Sequence, residues 1–390
     1  MTRPWIPIAL AASVAAGCAA PPPPPAPATP RKATVRIGAA QPKARLIDWK
    51  LPAAEALARV DGNLAELEAL VRKGGEAGCD ALALPEDTLG LGKWKAAHRG
   101  QEGEVLRAAV PRMLERLGRA AAAHRMYLLC CNDTVDADGA LRNTAFFLGR
   151  DGKEIGRYHK VNMPIQELHK KRGDRFPVFP TPDLGGVGML ICYDMVFPEA
   201  ARCLALGGAD IIFHLTLGGA AMGDNDISRA AFRTRAVENF VYIAVSERGS
   251  GTMILSPKGD ILVEAKGPDD IAIADIDPFG GREGGDAFNQ QRDMRARLFR
   301  ERHPPAFGIL TDPDPPVLAR VPEATRVEDA VRISSGALTV GEERFNGAAR
   351  LARDGKTREA VEAYEKLIAD YPGTWIDRVS RERLAGLRGR

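Results

Sequence analysis

This chain has almost no surplus of charge of either sign. Of 390 residues, 54 are Lys or Arg and 51 are Asp or Glu, a formal net charge of +3. Nucleic-acid-binding domains usually carry a clear basic excess, so no nucleic-acid partner is expected. Histidine and cysteine number only six each. Neither shows metal-ligand spacing, so neither a zinc framework nor any resident metal or cofactor is expected. The GxSxG elbow, the Walker A sequence and HExxH are all missing, which removes serine esterase, nucleotide triphosphatase and zincin readings. Long apolar runs are lacking too. The N-terminal run at 6–16 is too short to span a bilayer as a helix. What remains is ordinary for a globular chain: 45% hydrophobic and 27% charged residues. The length suits one large domain with a small appendage.

Both ends differ from the middle. Arg3 and the apolar run lead to Ala15-Ala16-Gly17-Cys18, a targeting pattern. It resembles the lipobox of bacterial lipoproteins, with Ala15 where Leu is usual. Residues 1–18 are therefore expected to be a lipoprotein-type signal, with Cys18 acylated and the protein exported to the bacterial cell envelope, lipid-anchored to a membrane on the periplasmic side. Residues 19–32 include five consecutive prolines at 21–25. Polyproline is extended and semi-rigid, so ten such residues hold a domain roughly 30 Å from a surface. At the other end, 311–341 contains Asp312-Pro313-Asp314-Pro315-Pro316 and reads as a linker. Residues 342–390 then turn helical. Ala348, Leu351 and Ala352 share one face, Gly355 interrupts, and Ala360, Val361, Tyr364, Leu367 and Ile368 share another. This tail resembles a single tetratricopeptide unit. One unit does not bury a core alone, so it is expected to pack on the main domain or on a second subunit.

Between these ends, strand-like apolar runs recur at 35–40, 81–84, 127–131, 144–148, 187–191, 211–213 and 241–245. Helical periodicity separates several of them, as with Leu64, Leu67, Leu70 and Val71, or Leu106, Ala109, Val110, Met113, Leu114 and Leu117. Alternating strands and helices imply βαβ units. Asp151-Gly152 and Lys258-Gly259-Asp260 signal hairpins, so the pairing is mixed parallel and antiparallel.

Three polar residues end such runs, where open α/β sheets place their ligands. Glu86 follows Ala81-Leu82-Ala83-Leu84-Pro85. Lys160 ends Ile155-Gly156-Arg157-Tyr158-His159. Cys192 ends Val187-Gly188-Met189-Leu190-Ile191 and precedes a helix opened by Pro198-Glu199. A strand that stops at a cysteine and turns toward a helix presents the thiol, and backbone amides in the turn can face a developing oxyanion.

Together, "LALPEDTL", "RYHKVNMP" and "GMLICYDMVFPE" resemble the carbon–nitrogen hydrolase (nitrilase) superfamily, which uses a Glu-Lys-Cys triad. Glu86, then Lys160 after 74 residues and Cys192 after a further 32, match its order and spacing. "RAVENFVYIAVSE" and "GTMILSPKGDILVEA" fit its later segments, so the resemblance covers 33–310. It implies a four-layer αββα sandwich, with the tail as a small α-helical segment. The implied activity is hydrolysis of a non-peptide C–N bond of a small amide through a Cys192 thioester. Glu86 would be general base and acid, and Lys160 the stabiliser of thiolate and oxyanion, helped by the backbone N–H of Tyr193. The family's second glutamate falls best on Glu167. Glu199 is the other candidate, with a helix N-terminal charge as its ordinary role. A homodimer is implied as well. A nitrilase, an N-carbamoyl hydrolase, or an idle scaffold working through 342–390 and a protein partner stay open. After the strand at 211–213 the family often carries Pro-Thr, whereas here stands His214-Leu215-Thr216.

Three further features are weighed on composition alone. The basic loop His169 to Arg175 is expected to be solvated. The run containing Arg292, Arg295, Arg297, Arg300 and Arg302 is expected to pack as a surface helix. Cys79, Cys130, Cys131 and Cys203 are expected to be buried thiols, with Cys130 and Cys131 on opposite faces of a strand.

Overall fold

The structure, a computed structural model, describes residues 34–218, 225–280, 294–322 and 325–388. The signal at 1–18, the lipidation candidate Cys18, the linker 19–32 and Arg292 lie outside the described residues.

The strands of the first half are β1 (Val35–Gln41), β2 (Ala81–Ala83), β3 (Tyr127–Val135), β4 (Leu141–Leu148), β5 (Glu154–His159) and β6 (Val178–Thr181). Those of the second are β7 (Gly185–Ile191), β8 (Ile211–Thr216), β9 (Tyr242–Glu247), β10 (Met253–Leu255), β11 (Ile261–Glu264) and β12 (Asp270–Ile276). The helices are α1 (Ala53–Glu76), α2 (Gly92–Ala97), α3 (Glu102–Ala122), α4 (Pro198–Leu206), α5 (Asn225–Asn239) and α6 (Met294–Glu301). They continue with α7 (Val327–Gly336), α8 (Glu342–Arg353), α9 (Thr357–Asp370) and α10 (Trp375–Arg388).

Two six-stranded sheets form, ordered β12-β1-β2-β3-β4-β5 and β11-β10-β9-β8-β7-β6. Each has three parallel strands at its centre, β1-β2-β3 and β7-β8-β9, flanked by antiparallel ones. Strand alternation dictates the layers. Ile37, Ala39, Ala81, Ala83, Leu129, Cys131 and Phe147 of the first sheet meet Val187, Met189, Ile191, Phe213 and Ala244 of the second. Small alanines facing large side chains let the sheets interdigitate. The intervening residues Leu82, Leu84, Leu128 and Cys130 point outward to α1 and α3. Leu190, Ile212 and Ile243 point outward to α4 and α5. The order is therefore helix, sheet, sheet, helix, as the αββα expectation has it. Ser246 ties the sheets together near the site, its hydroxyl 2.7 Å from the Ala40 carbonyl and 3.1 Å from that of Ala83.

Both expected hairpins form. Gly152 (φ +77°) lies in the β4–β5 turn and Gly259 (φ +79°) in the β10–β11 turn, a conformation glycine adopts without cost. Arg295 fastens α6 from its buried position, bonding Asp210 at 3.0 Å and the Ala209 carbonyl at 2.6 Å. Cys79, Cys130 and Cys131 are buried free thiols, but Cys203 is exposed, because it lies on the solvent side of the short helix α4.

The expected linker at 311–341 is corrected in part. Residues 327–341 are helical, with α7 running through a π segment (Ala337–Gly341) into α8. Gly336, Gly341 and Ser334-Ser335 are poor helix formers and hide the pattern in sequence. Packing overrides them: Ala337, Ala348, Ala360, Tyr364, Leu367, Tyr371 and Ile376 form one small core. The tail packs on the main domain. Helix α7 lies against α2 and against a 3₁₀ turn at Ile165–Glu167. Arg99 bonds Ser335 Oγ at 3.3 Å, Lys50 pairs with Glu343 at 2.5 Å, and Lys93 pairs with Glu342.

Candidate active site

The carboxyl ends of β2, β5 and β7 converge. The turn after β2 is fastened to β3 by Leu84 N–H to the Leu129 carbonyl at 2.8 Å and by Thr88 N–H to the Cys131 carbonyl at 2.8 Å. Within it Glu86 is buried. Its Oε1 accepts from Asn143 Nδ2 at 2.7 Å and from Lys160 Nζ at 3.3 Å. Its Oε2 accepts from the Leu217 N–H at 3.3 Å. Lys160 is wholly buried and also donates to Glu167 Oε1 at 3.1 Å. Burial alone would lower the Lys160 ammonium; Glu86 and Glu167 outweigh it and hold the group well above its ordinary value. Burial likewise works to raise Glu167, but Lys170 and Lys160 hold it below the ordinary carboxylate range.

Cys192 opens a 3₁₀ turn, Cys192–Val196, directly after β7. Its φ is +44°, a left-handed conformation that costs an L-residue about 1–2 kcal/mol. Asp194 holds it there. Its Oδ2 accepts from Tyr158 OH at 2.7 Å and from the Ile191 N–H at 3.0 Å. Its Oδ1 accepts from the Asn162 N–H at 2.8 Å. The carboxylate thus pins the last residue of β7 and the segment after Lys160 to one point. Burial pushes the Cys192 thiol up to about 12; Glu86 adds to this, while Lys160 and the Thr216 hydroxyl oppose it. The resting sulfur is therefore a neutral thiol within the field of Glu86, Lys160 and Glu167.

The structure thus gathers Glu86, Lys160, Cys192 and Glu167. Tyr193 follows the thiol, its ring edge-on to Phe197 at 5.5 Å. Glu199 stands apart, exposed in the first turn of α4. Of the His214-Leu215-Thr216 segment, Thr216 meets the thiol. His214 points to the helix side of β8 against Phe232, and burial, aided by Lys160, lowers its imidazole to about 3.

Sequence reasoning did not single out Asn143, Asp133, Lys95 or Lys170. The loop expected to be solvated instead turns Lys170 inward, its side chain 11% exposed, to donate to Asp133 Oδ1 at 2.9 Å and to Glu167 Oε2 at 3.3 Å. Lys95 reaches the other oxygen of Asp133 at 2.7 Å. Strand ends that carry an unexplained Asn or Asp, as β3 and β4 do, were the available signal.

The chain is 29% identical over 240 residues to a deaminated glutathione amidase of Synechocystis sp., covering 55% of this chain and 86% of that one. It is 31% identical over 241 residues to a nitrilase of Pyrococcus abyssi, covering 56% and 85%. The fold is similar to that of an amidase mutant from Nesterenkonia sp. bearing the acetamide moiety of fluoroacetamide at its active site cysteine, with TM-score 0.53, 22% identity, and 68% and 96% of the two chains covered. The carbon–nitrogen hydrolase family model matches residues 38–283, and the chain belongs to that family.

Proposed function

We propose that this enzyme hydrolyses the C–N bond of a small amide, with Cys192 as nucleophile, Glu86 as general base and acid, and Lys160 as electrostatic stabiliser. The observation that carries the reading is the buried Lys160 ammonium bonded to Glu86 at 3.3 Å and Glu167 at 3.1 Å, with the Cys192 thiol in the same charge field. A neutral thiol is a poor nucleophile. The reaction therefore begins as Glu86 takes the Cys192 proton while sulfur attacks the amide carbon. Lys160 and the Tyr193 amide face the oxyanion of the tetrahedral intermediate. Collapse breaks the C–N bond, and Glu86 passes its proton to the departing amine or ammonia. Glu86 then takes a proton from water, whose oxygen attacks the thioester carbon. Collapse releases the acid, and the proton returns to sulfur, so the thiol is regenerated. Glu167 touches Lys160 and not the sulfur in this scheme, so it orients the ammonium.

An amide is preferred over a nitrile because a deaminated glutathione amidase, an omega-amidase and an N-carbamoylputrescine amidase stand among the sequence relatives beside a nitrilase. The test is ammonia release by the full chain from a panel of amides, N-carbamoyl compounds and nitriles, beside Cys192→Ala. Turnover on amides that vanishes in the variant supports the reading. Turnover confined to nitriles reassigns the substrate class, and turnover surviving in Cys192→Ala refutes the thiol mechanism. The lipid anchor at Cys18 and the homodimer are proposals carried by the sequence resemblances. Palmitate labelling lost in Cys18→Ser tests the first, and sedimentation tests the second.

A further inference from the structure

We propose that Asp133 is a positioning residue for this site: paired across the sheet with Asn143, it fixes, through Lys170, where Glu167 stands, and so where Lys160 stands. This rests on the hydrolase reading above. Asp133 of β3 and Asn143 of β4 are register partners, so their side chains share one face of the sheet. Asn143 holds Glu86 at 2.7 Å. Asp133 holds Lys170 at 2.9 Å, and Lys170 holds Glu167 at 3.3 Å. One cross-strand pair therefore anchors both carboxylates that flank Lys160. Lys95 closes the far side, 2.7 Å from the other oxygen of Asp133.

The result is a largely buried row of alternating charge: Glu86, Lys160, Glu167, Lys170, Asp133, Lys95 and Asp87, with Arg248 beside Asp87. Four carboxylates face three ammonium groups and one guanidinium. Lys170 is shared by two carboxylates, nearer to Asp133 than to Glu167, and with Asp133 neutral it closes on Glu167 alone. Glu167 then turns from Lys160 toward Lys170, and the ammonium shifts relative to the thiol. Small misplacements of this kind are costly in catalysis.

The test uses Asp133→Asn and Lys170→Gln in the full chain, each in a Cys203→Ser background so that the exposed thiol is silent. Both variants are expected to lose roughly tenfold or more in kcat on the amide that the wild type turns over, with KM changed far less. Alkylation of Cys192 by iodoacetamide at fixed pH gives the second readout, independent of any substrate. Asp133→Asn leaves the row one charge more positive and is expected to speed alkylation at least about threefold, half a pH unit of thiol titration. Lys170→Gln leaves it one charge more negative and is expected to slow it by a similar factor. Loss of kcat in both, with opposite changes in thiol reactivity, is not what a merely structural triad produces. Lowered thermal stability with wild-type kcat and wild-type alkylation rates overturns the proposal. Should Asp133→Asn not fold, Lys170→Gln decides by the same two readouts. If no panel substrate turns over, the alkylation arms decide alone. Turnover retained in Cys192→Ala instead marks failure of the thiol mechanism on which this proposal rests.

Discussion

Tyr158→Phe removes one oxygen and tests how the Cys192 turn is held. The Tyr158 hydroxyl does two jobs: it donates to Asp194 Oδ2 at 2.7 Å and accepts from the Val161 N–H at 3.1 Å. The ring is buried between the sheets and stays filled by Phe. Losing a hydrogen bond to a charged group and stranding one buried donor costs about 2–4 kcal/mol together. A cooperative unit of about 360 residues has an unfolding entropy of about 0.75 kcal/mol/K, so the melting temperature falls by about 3–5 °C. The penalty also has a pH signature. Burial raises the Asp194 carboxyl, and the bonds from Tyr158, Asn162 and Ile191 pull it back. Taking Tyr158 away raises it further. A carboxyl raised in the folded state binds its proton there more readily than in the unfolded chain. Stability therefore falls as pH climbs from the ordinary carboxylate range through the raised value. The charge-assisted part of the penalty is full above that value and gone below about pH 4, where both states are protonated. Thermal melts of wild type and variant at about pH 7.5 and about pH 4 check this. A melting temperature within about 1 °C of wild type at neutral pH, or an equal drop at both pH values, refutes the reasoning.

Other perturbations read other parts of the molecule. With its thiol at about 12, Cys192 is expected to be alkylated by iodoacetamide at a rate still climbing about tenfold per pH unit beyond pH 8; a plateau below about pH 9 contradicts the neutral thiol. Gly90 has φ +77°, and a Cβ there would lie 2.0 Å from the Arg45 carbonyl oxygen. Gly90→Ala is therefore expected to lower the melting temperature and, through the Glu86 turn, kcat; wild-type values of both refute this. Arg295→Met breaks a buried pair with Asp210, worth about 3–5 kcal/mol when one partner is removed, and calorimetry should show a drop of about 4–7 °C. Lys93→Glu and Glu342→Lys should each speed proteolytic release of the tail, and the double reversal should restore wild-type resistance.

The family, the layers and the meeting of Glu86, Lys160 and Cys192 were legible because each is written locally. Glu86, Lys160 and Cys192 end apolar runs, and the alternation in 127–131 sends Cys130 to one face and Cys131 to the other. Strands β6 and β12 were not legible. Pro180 interrupts β6, which survives as an edge strand paired only to β7. Strand β12 leaves the sheet of β9–β11 and pairs with β1 of the other sheet, Val35 opposite Ile276; nothing near residue 276 announces a partner 241 positions earlier. The buried charges were illegible for a different reason. Lys170 in a run of basic residues looks solvated, and only the arrival of Asp133 from 37 positions away, beside Glu167 three residues before it, makes its partial burial tolerable.

The same charges show why the tail belongs with the hydrolase. Lys95 lies on α2 and holds Asp133, while Lys93 on the same short helix pairs with Glu342 of α8. Helix α7 packs on α2 and on the turn that carries Glu167. Glu167 and Lys95 thus stand at two points of the buried row, and both lie on segments the tail touches. A helical hairpin that only recruited a partner would have no need of these contacts. Six residues of α2 are too few to be stable alone, and the 3₁₀ turn at Ile165–Glu167 has no buried residue of its own. Trp94 anchors α2 in the main core, and the tail adds a second cover over α2 and over the turn that carries Glu167, so it braces two of the segments that supply the charges around Lys160.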